Sequence, residues 1–453
     1  MLHLVFKPHR DTLRAQTSDA QKLFVLLKVI PAAPLASVRP PLALALVLDT
    51  SGSMRELSNR AAGGAKSKLD HAIEATRALL LHPRLVPGDL LSVVQFDDVA
   101  RVLLPLSPLG NGDAARAALD KLKGYSGGTQ VAKGLVAARA ELGRILQGGV
   151  AQRVLLLTDG QAFDPDACRE AAAGLAEANV PLVSIGIGDD YNEELLRDLA
   201  EIGRGRPYHL SQIEQLDEVF GTEVQASVRE VVTGLRAEVQ VVNGVSLDSV
   251  TRIYPDLAEI DFAPASPENS AQPKAASLSL GNIMAGDYTV FVLELSVSGL
   301  ERPAGRVRLA QVQLSGVVPT GAGTVDSPRH DIVVSFSGAP NGAEKVDDEV
   351  LGYVQQRNVD RLVQGAVRRA ATDVPGAQKS LQSAVEMTRR VGNVRVTRLL
   401  QESLDELNAN GQWSSSTRKT IALETRTRTI KTRAADALSD VPGEDEIRRL
   451  TGA

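Results

Sequence analysis

The chain has 453 residues, 43% hydrophobic and 23% charged, with a formal net charge of −5; it is too long for one compact core and carries no global basic field of the kind that holds nucleic acid. No run approaches the roughly 18 uncharged apolar residues of a membrane span, and the single cysteine, Cys168, has no second cysteine in the chain to pair with. The start, MLHLVFKPHR, lacks the features of a secretory leader, so these totals point to a cytoplasmic protein without nucleic-acid or membrane partners.

Leu2, Leu4 and Phe6 alternate with other residues and Leu23–Ile30 is a strand-like run, which predicts the first strands of a β-sandwich over 1–38. From 40 to 222, apolar runs alternate with amphipathic stretches. Strands are predicted at Leu42–Leu48, Leu90–Phe96, Val154–Leu157 and Leu182–Ile187, and helices around Lys68–Leu81, Asp113–Leu122, Val131–Leu146 and Asp166–Ala178. Runs apolar on both faces and separated by helices make a doubly wound, Rossmann-like α/β domain with a parallel sheet. After 222 the rhythm changes. Leu235, Ala237, Val239 and Val241 alternate with Arg236, Glu238 and Gln240, and Tyr288–Val297, Val307–Leu314 and His330–Phe336 read as further strands between loops such as Pro264–Pro273. These complete an antiparallel sandwich over 223–340, into which the α/β domain is inserted. A helical hairpin is expected over 344–411, from Val350, Val354, Leu362, Val363 and Val367 and then from Leu381 to Leu407. Asn408–Ser416 reads as a polar linker into a Thr/Arg-rich tail, 412–453, expected to be flexible.

The run Leu42–Leu48 ends in Asp49, Ser51 and Ser53, at every second position. In an extended segment these project to one side, past the carboxyl end of a strand, where ligands bind in open α/β sheets. Leu155–Leu157 likewise ends in Thr158-Asp159-Gly160, and the loop Tyr125–Thr129 offers a hydroxyl after a Gly pair. All these groups are hard oxygens, a set that suits Mg²⁺. If the hydroxyls bind directly and the carboxylates through water, the ion stays electrophilic and takes an Asp or Glu from a partner as its last ligand. The segments D-T-S-G-S, G-G-T and L-T-D-G, in this order, resemble the von Willebrand factor A family over roughly residues 40–222. The resemblance implies that Asp49, Ser51, Ser53, Thr129 and Asp159 form a metal-ion-dependent adhesion site for Mg²⁺ (or Mn²⁺ or Ca²⁺), and metal-dependent protein binding rather than catalysis. The wider layout is similar to bacterial multi-domain proteins with this module set in a β-sandwich.

Other motifs carry less. An EF-hand fails because its sixth and twelfth positions would be Met54 and Arg60. Gly63–Ser67 lacks the adjacent Gly-Lys of a phosphate loop and reads as a flexible insert beside the crevice, and Gly186-Ile187-Gly188 has Tyr191 at its third glycine position. Gly124–Gly128 spells G-x-S-x-G around Ser126, but no strand precedes it as a nucleophile elbow requires. Asp97-Asp98 reads as a solvated turn and Cys168 as packing. In the tail, Thr417, Thr420, Thr425, Thr427, Thr429 and Thr432 interleave with basic residues, which makes them candidate phosphorylation sites that would dock a disordered arm. Such tails are similar to those of bacterial A-domain proteins associated with Ser/Thr kinases and FHA-domain proteins. The expected function is therefore a non-enzymatic, metal-dependent scaffold. The alternative is a regulatory subunit of an AAA+ (MoxR-like or chelatase-like) ATPase complex.

Overall fold

Three strands open the chain: β1 (Leu2–Pro8), β2 (Thr12–Arg14) and β3 (Gln21–Pro31). The computed structural model describes residues 2–31, 39–57, 66–145, 150–160, 162–187, 191–210, 215–262, 274–298, 304–319, 323–338 and 346–432. An α/β unit follows: β4 (Leu42–Asp49), α1 (Lys68–Leu80), β5 (Leu90–Phe96), β6 (Ala100–Pro108), α2 (Asp113–Lys121), α3 (Val131–Leu142), β7 (Ala151–Thr158), α4 (Pro165–Glu177), β8 (Leu182–Ile187), α5 (Glu193–Ile202), β9 (Arg204–Leu210) and α6 (Leu216–Ser227). The sheet order is β6-β5-β4-β7-β8-β9, parallel except for β6.

Every residue of β4 is buried because helices cover both faces of the sheet. Leu42, Leu44, Leu46 and Leu48 pack with Leu69 and Ile73 of α1 and Phe220 of α6; Ala43, Ala45 and Val47 pack with Leu135 of α3 and Leu175 of α4. Each fully buried leucine stabilises the fold by roughly 1.5–3 kcal/mol. The four expected strands are present, whereas β6, β9, α5 and α6 lie beyond the expected set. Both added strands are sheet edges, only partly buried, and β9 (RGRPYHL) has no apolar run to betray it. Helix α3 stops at Leu142, with Gly143 next, short of the expected Leu146, which lies outside the described residues.

The chain continues through β10 (Glu230–Val241), β11 (Val245–Tyr254), β12 (Ala258–Glu259), β13 (Lys274–Met284), β14 (Thr289–Val297), β15 (Gly305–Val317), β16 (Thr324–Asp326) and β17 (His330–Ser337). They form two sheets, β1-β3-β14-β11-β12 and β13-β10-β15-β17-β2, with β16 on β15. The strands that precede the α/β unit therefore take places in both sheets: β3 pairs with β14 from Gln21↔Val297 to Thr289↔Val29, and β2 runs parallel to β17. Leu23, Val25 and Leu27 meet Leu235, Ala237 and Val239 in the core between the sheets.

Four helices end the described chain: α7 (Asp348–Arg369), α8 (Val374–Val391), α9 (Val394–Asn410) and α10 (Ser415–Thr427). Val350, Tyr353 and Val354 of α7 cover Phe24, Leu26, Val290 and Val292 on the outer face of the five-stranded sheet. Two corrections to the expected hairpin and tail follow. The stretch from Leu381 to Leu407 is two helices, because Gly392 (φ +81°) closes α8 and the Asn393 side chain caps α9. The expected linker is short: Asn408–Asn410 end α9, Gly411–Ser414 make the turn, and the first part of the expected flexible tail forms α10, capped by Ser414, with Ile421 and Ala422 fully buried. Alternation of threonine and arginine suggests two polar faces, yet the threonines satisfy themselves: Thr425 Oγ1 donates to the Ile421 carbonyl (2.9 Å) and Thr427 Oγ1 to that of Leu423 (3.2 Å). The rest of the expected tail, 433–453, lies outside the described residues.

Candidate metal centre

Strands β4 and β7 are neighbours whose following helices cover opposite faces of the sheet, α1 on one and α4 on the other. Their carboxyl ends thus flank the crevice at which strand order reverses. Asp49 ends β4 and Asp159 follows the last residue of β7. The Ser51 amide donates to Asp49 Oδ1 (2.7 Å), and Thr158 Oγ1 donates to Oδ2 (2.5 Å). The hydroxyls of Ser51 and Ser53 are 3.1 Å apart, and Ser53 Oγ donates to Asp159 Oδ1 (2.7 Å). Thr129 reaches the same place from the loop before α3. A Cβ on Gly160 would lie 3.0 Å from Thr129 Oγ1 and 3.7 Å from Ser53 Oγ, so the absent side chain leaves room for both hydroxyls. The Gly52 amide donates to the Gly127 carbonyl (3.1 Å) and ties the two loops together. All five residues named from the sequence are brought to one crevice, and all five offer oxygen. That donor chemistry fits a hard divalent cation such as Mg²⁺.

Asp49 is fully buried, and desolvation pushes its carboxyl up to about 7 against the hydrogen bonds from Thr158 and Ser51, with Asp159 adding repulsion. Lys68, at the first position of α1, places Nζ 2.6 Å from Asp159 Oδ2. A pattern of acids and hydroxyls alone does not point to it. The signal was present in Ser67 and Asp70, whose capping box starts α1 at Lys68 beside the crevice. The insert read at Gly63–Ser67 lies outside the described residues through Ala65; Ser67 is the cap.

Asp97-Asp98 is not wholly a solvated turn. Asp97 is buried, accepting from the Val99 amide (3.0 Å) and pairing with Arg101, because the hairpin β5–β6 folds over it. Asp98 is exposed, and a Cβ on Gly127 or Gly128 would come within 2.5 Å of its carboxylate, which explains the Gly pair before Thr129. Phe163 stands at the rim, 68% exposed, its amide donating to the Thr129 carbonyl (3.3 Å).

The six tail threonines are dispersed. Thr417 Oγ1 donates to Glu406 Oε2 (2.6 Å), and Thr429 Oγ1 to the Pro255 carbonyl (2.8 Å). Thr420 and Thr427 line a cavity of about 520 Å³ between β9, α6, α9 and α10. Thr425 and Thr432 are buried, the latter with its methyl against Gly352, so modification of either requires the segment to leave its seat. Cys168 is buried and its thiol is pushed up to about 12, chiefly by desolvation. The segment around Ser126 follows a 3-10 turn, Leu122–Gly124, not a strand.

Comparison with known proteins bears on the domains and the fold. Residues 43–222 match the von Willebrand factor type A domain, and residues 348–431 match a family described as the Sll0103-like, C-terminal alpha-helical domain. The uncharacterized protein sll0103 of Synechocystis sp. is 26% identical over 396 residues, covering 86% of this chain and 88% of that protein. A UPF0353 protein of Mycobacterium sp. (strain KMS) is 28% identical over 239 residues, covering 46% of this chain and 68% of that protein. Among solved structures, the von Willebrand factor type A protein from Catenulispora acidiphila superposes with a TM-score of 0.76 at 18% identity, over 95% of this chain and 97% of that one. The ArnB paralog VWA2 from Sulfolobus acidocaldarius gives 0.55 at 16% identity, over 95% and 99%. These likenesses show the fold.

Proposed function

We propose that this chain, which carries a von Willebrand factor A domain over residues 43–222, is a metal-dependent protein-binding scaffold. Domains of this kind are usually non-enzymatic interaction modules, and they can bind a metal ion at their adhesion site. The observation that carries the reading is the convergence of Asp49, Ser51, Ser53, Thr129 and Asp159 on the open edge of the sheet at the switch point. With these ligands Mg²⁺ would complete its shell with water and an Asp or Glu of a protein partner. The exposed Phe163 at the rim offers that partner an apolar contact beside the ion. Titration of Mg²⁺ into the full chain and into Asp159→Ala tests the reading. One ion per chain, lost in the variant, is expected; heats identical in the two proteins would defeat it.

Kinase control of the tail is the second part of the proposal, and its physical site is the Thr417–Glu406 contact. A phosphate on Thr417 would face the Glu406 carboxylate and loosen α10 from α9, while lying at a helix N-terminus that favours the added charge. Mass spectrometry of the native protein should find Thr417 modified in at least one growth state.

A further inference from the structure

The reading above gives no role to Lys68, yet its ammonium lies inside the crevice. It pairs with Asp159 at 2.6 Å, with 14% of the lysine side chain exposed and none of the aspartate. Nothing in α1 requires a cation there. The helix start is already satisfied by the Ser67–Asp70 capping box, and the positive end of a helix is the unfavourable end for an ammonium. The other carboxylate in reach of that turn, Asp70, is held by Ser67 and by Lys123 (2.6 Å). Asp159 itself is shared: Oδ1 receives the Ser53 hydroxyl, and Oδ2 receives Lys68.

We propose that Lys68 is a tethered cation that shares Asp159 with the metal and selects the partner's carboxylate; the inference rests on the metal reading above. Charge makes the case. Two carboxylates and a divalent ion alone leave the crevice formally neutral, so only the ion's open coordination position draws the anion. Adding the ammonium leaves one net positive charge, which a single partner carboxylate neutralises. A metal bound at the crevice draws on Asp159 and weakens its hold on the ammonium. The flexible four-carbon stem of lysine then lets Nζ turn to the incoming carboxylate, so ion and ammonium flank one anion. Lys68 is thus a positioning residue for the partner and a brake on the metal.

The test uses the full chain, Mn²⁺ alone as probe, and Lys68→Met and Lys68→Arg read by calorimetry. Removal of the neighbouring positive charge in Lys68→Met should tighten Mn²⁺ about tenfold, while Lys68→Arg stays within about threefold of wild type. Lys68→Met strands the buried Asp159 carboxylate and should melt below wild type in EDTA, so an unchanged far-ultraviolet circular dichroism spectrum and a cooperative transition are what confirm that it is folded. Acetate in millimolar excess should tighten Mn²⁺ more on the wild type than on Lys68→Met, since the ammonium adds to the anion's hold on the ion. Equal Mn²⁺ affinity in wild type and Lys68→Met, or acetate acting alike on both, overturns this inference while leaving the metal site standing. Absence of Mn²⁺ binding in every protein overturns both.

Discussion

Asp49 should give metal binding a strong dependence on pH. Its carboxyl titrates at about 7 because burial outweighs the hydrogen bonds from Thr158 and Ser51. A protonated carboxyl cannot serve the ion, so below that pH each metal bound must expel a proton. For one such group the apparent dissociation constant is about twofold weaker at pH 7 and about 11-fold weaker at pH 6 than in the alkaline limit, roughly 1.4 kcal/mol at the lower pH. The protons released per ion are about 0.9 at pH 6, about 0.5 at pH 7 and about 0.1 at pH 8. Calorimetric titration of Mg²⁺ in two buffers of different ionisation enthalpy reads both quantities. The sign for stability is opposite to that of an ordinary ion-paired aspartate. The folded chain holds the Asp49 proton where the unfolded chain has lost it, so in EDTA this group's contribution falls as pH rises from about 4 to about 7. Affinity that is flat between pH 6 and 8, with no dependence on buffer, would refute the argument.

Two further perturbations probe the frame around the crevice. Arg153 on β7 pairs with Glu223 of α6 and Glu230 of β10, all three buried, and so joins the α/β unit to the sandwich. Arg153→Met strands two buried carboxylates at a cost of about 3–5 kcal/mol. That corresponds to a melting point lower by about 6–20 °C in scanning calorimetry, and Glu223→Gln with Glu230→Gln should restore most of it. A drop under about 2 °C would mean that the network does not join the units. Gly160→Ala places a Cβ 3.0 Å from Thr129 Oγ1, and should weaken Mg²⁺ several-fold with little change in melting temperature. Wild-type affinity in that variant would remove Thr129 from the site.

Much of the centre could be read in the sequence because strand geometry and ligand chemistry coincide there. Leu42–Leu48 is apolar throughout since both faces of β4 are covered, and the switch to Asp49, Ser51 and Ser53 marks where the cover ends. What escaped was set by tertiary context. Strand β9 is an edge whose Leu210 is its one buried residue and whose Arg206 is held by Asp256 (2.5 Å), so it offers no apolar run for periodicity to register. Helix α10 looked like a disordered arm because its threonines count as polar in a pattern, although their hydroxyls bond to the preceding turn and let the helix pack. Lys68 escaped for a different reason: a ligand search by oxygen donors has no place for a cation, even one 2.6 Å from a ligand.

The central claim is that the crevice recognises a protein through its metal, and a pull-down from native lysate in Mg²⁺ and in EDTA, read by mass spectrometry with Asp49→Ala as control, tests it most directly. The account predicts partners that are retained in Mg²⁺ and lost both in EDTA and with Asp49→Ala, and their identity would separate a kinase network from an ATPase complex. The same set of partners in both buffers and on both proteins would contradict it.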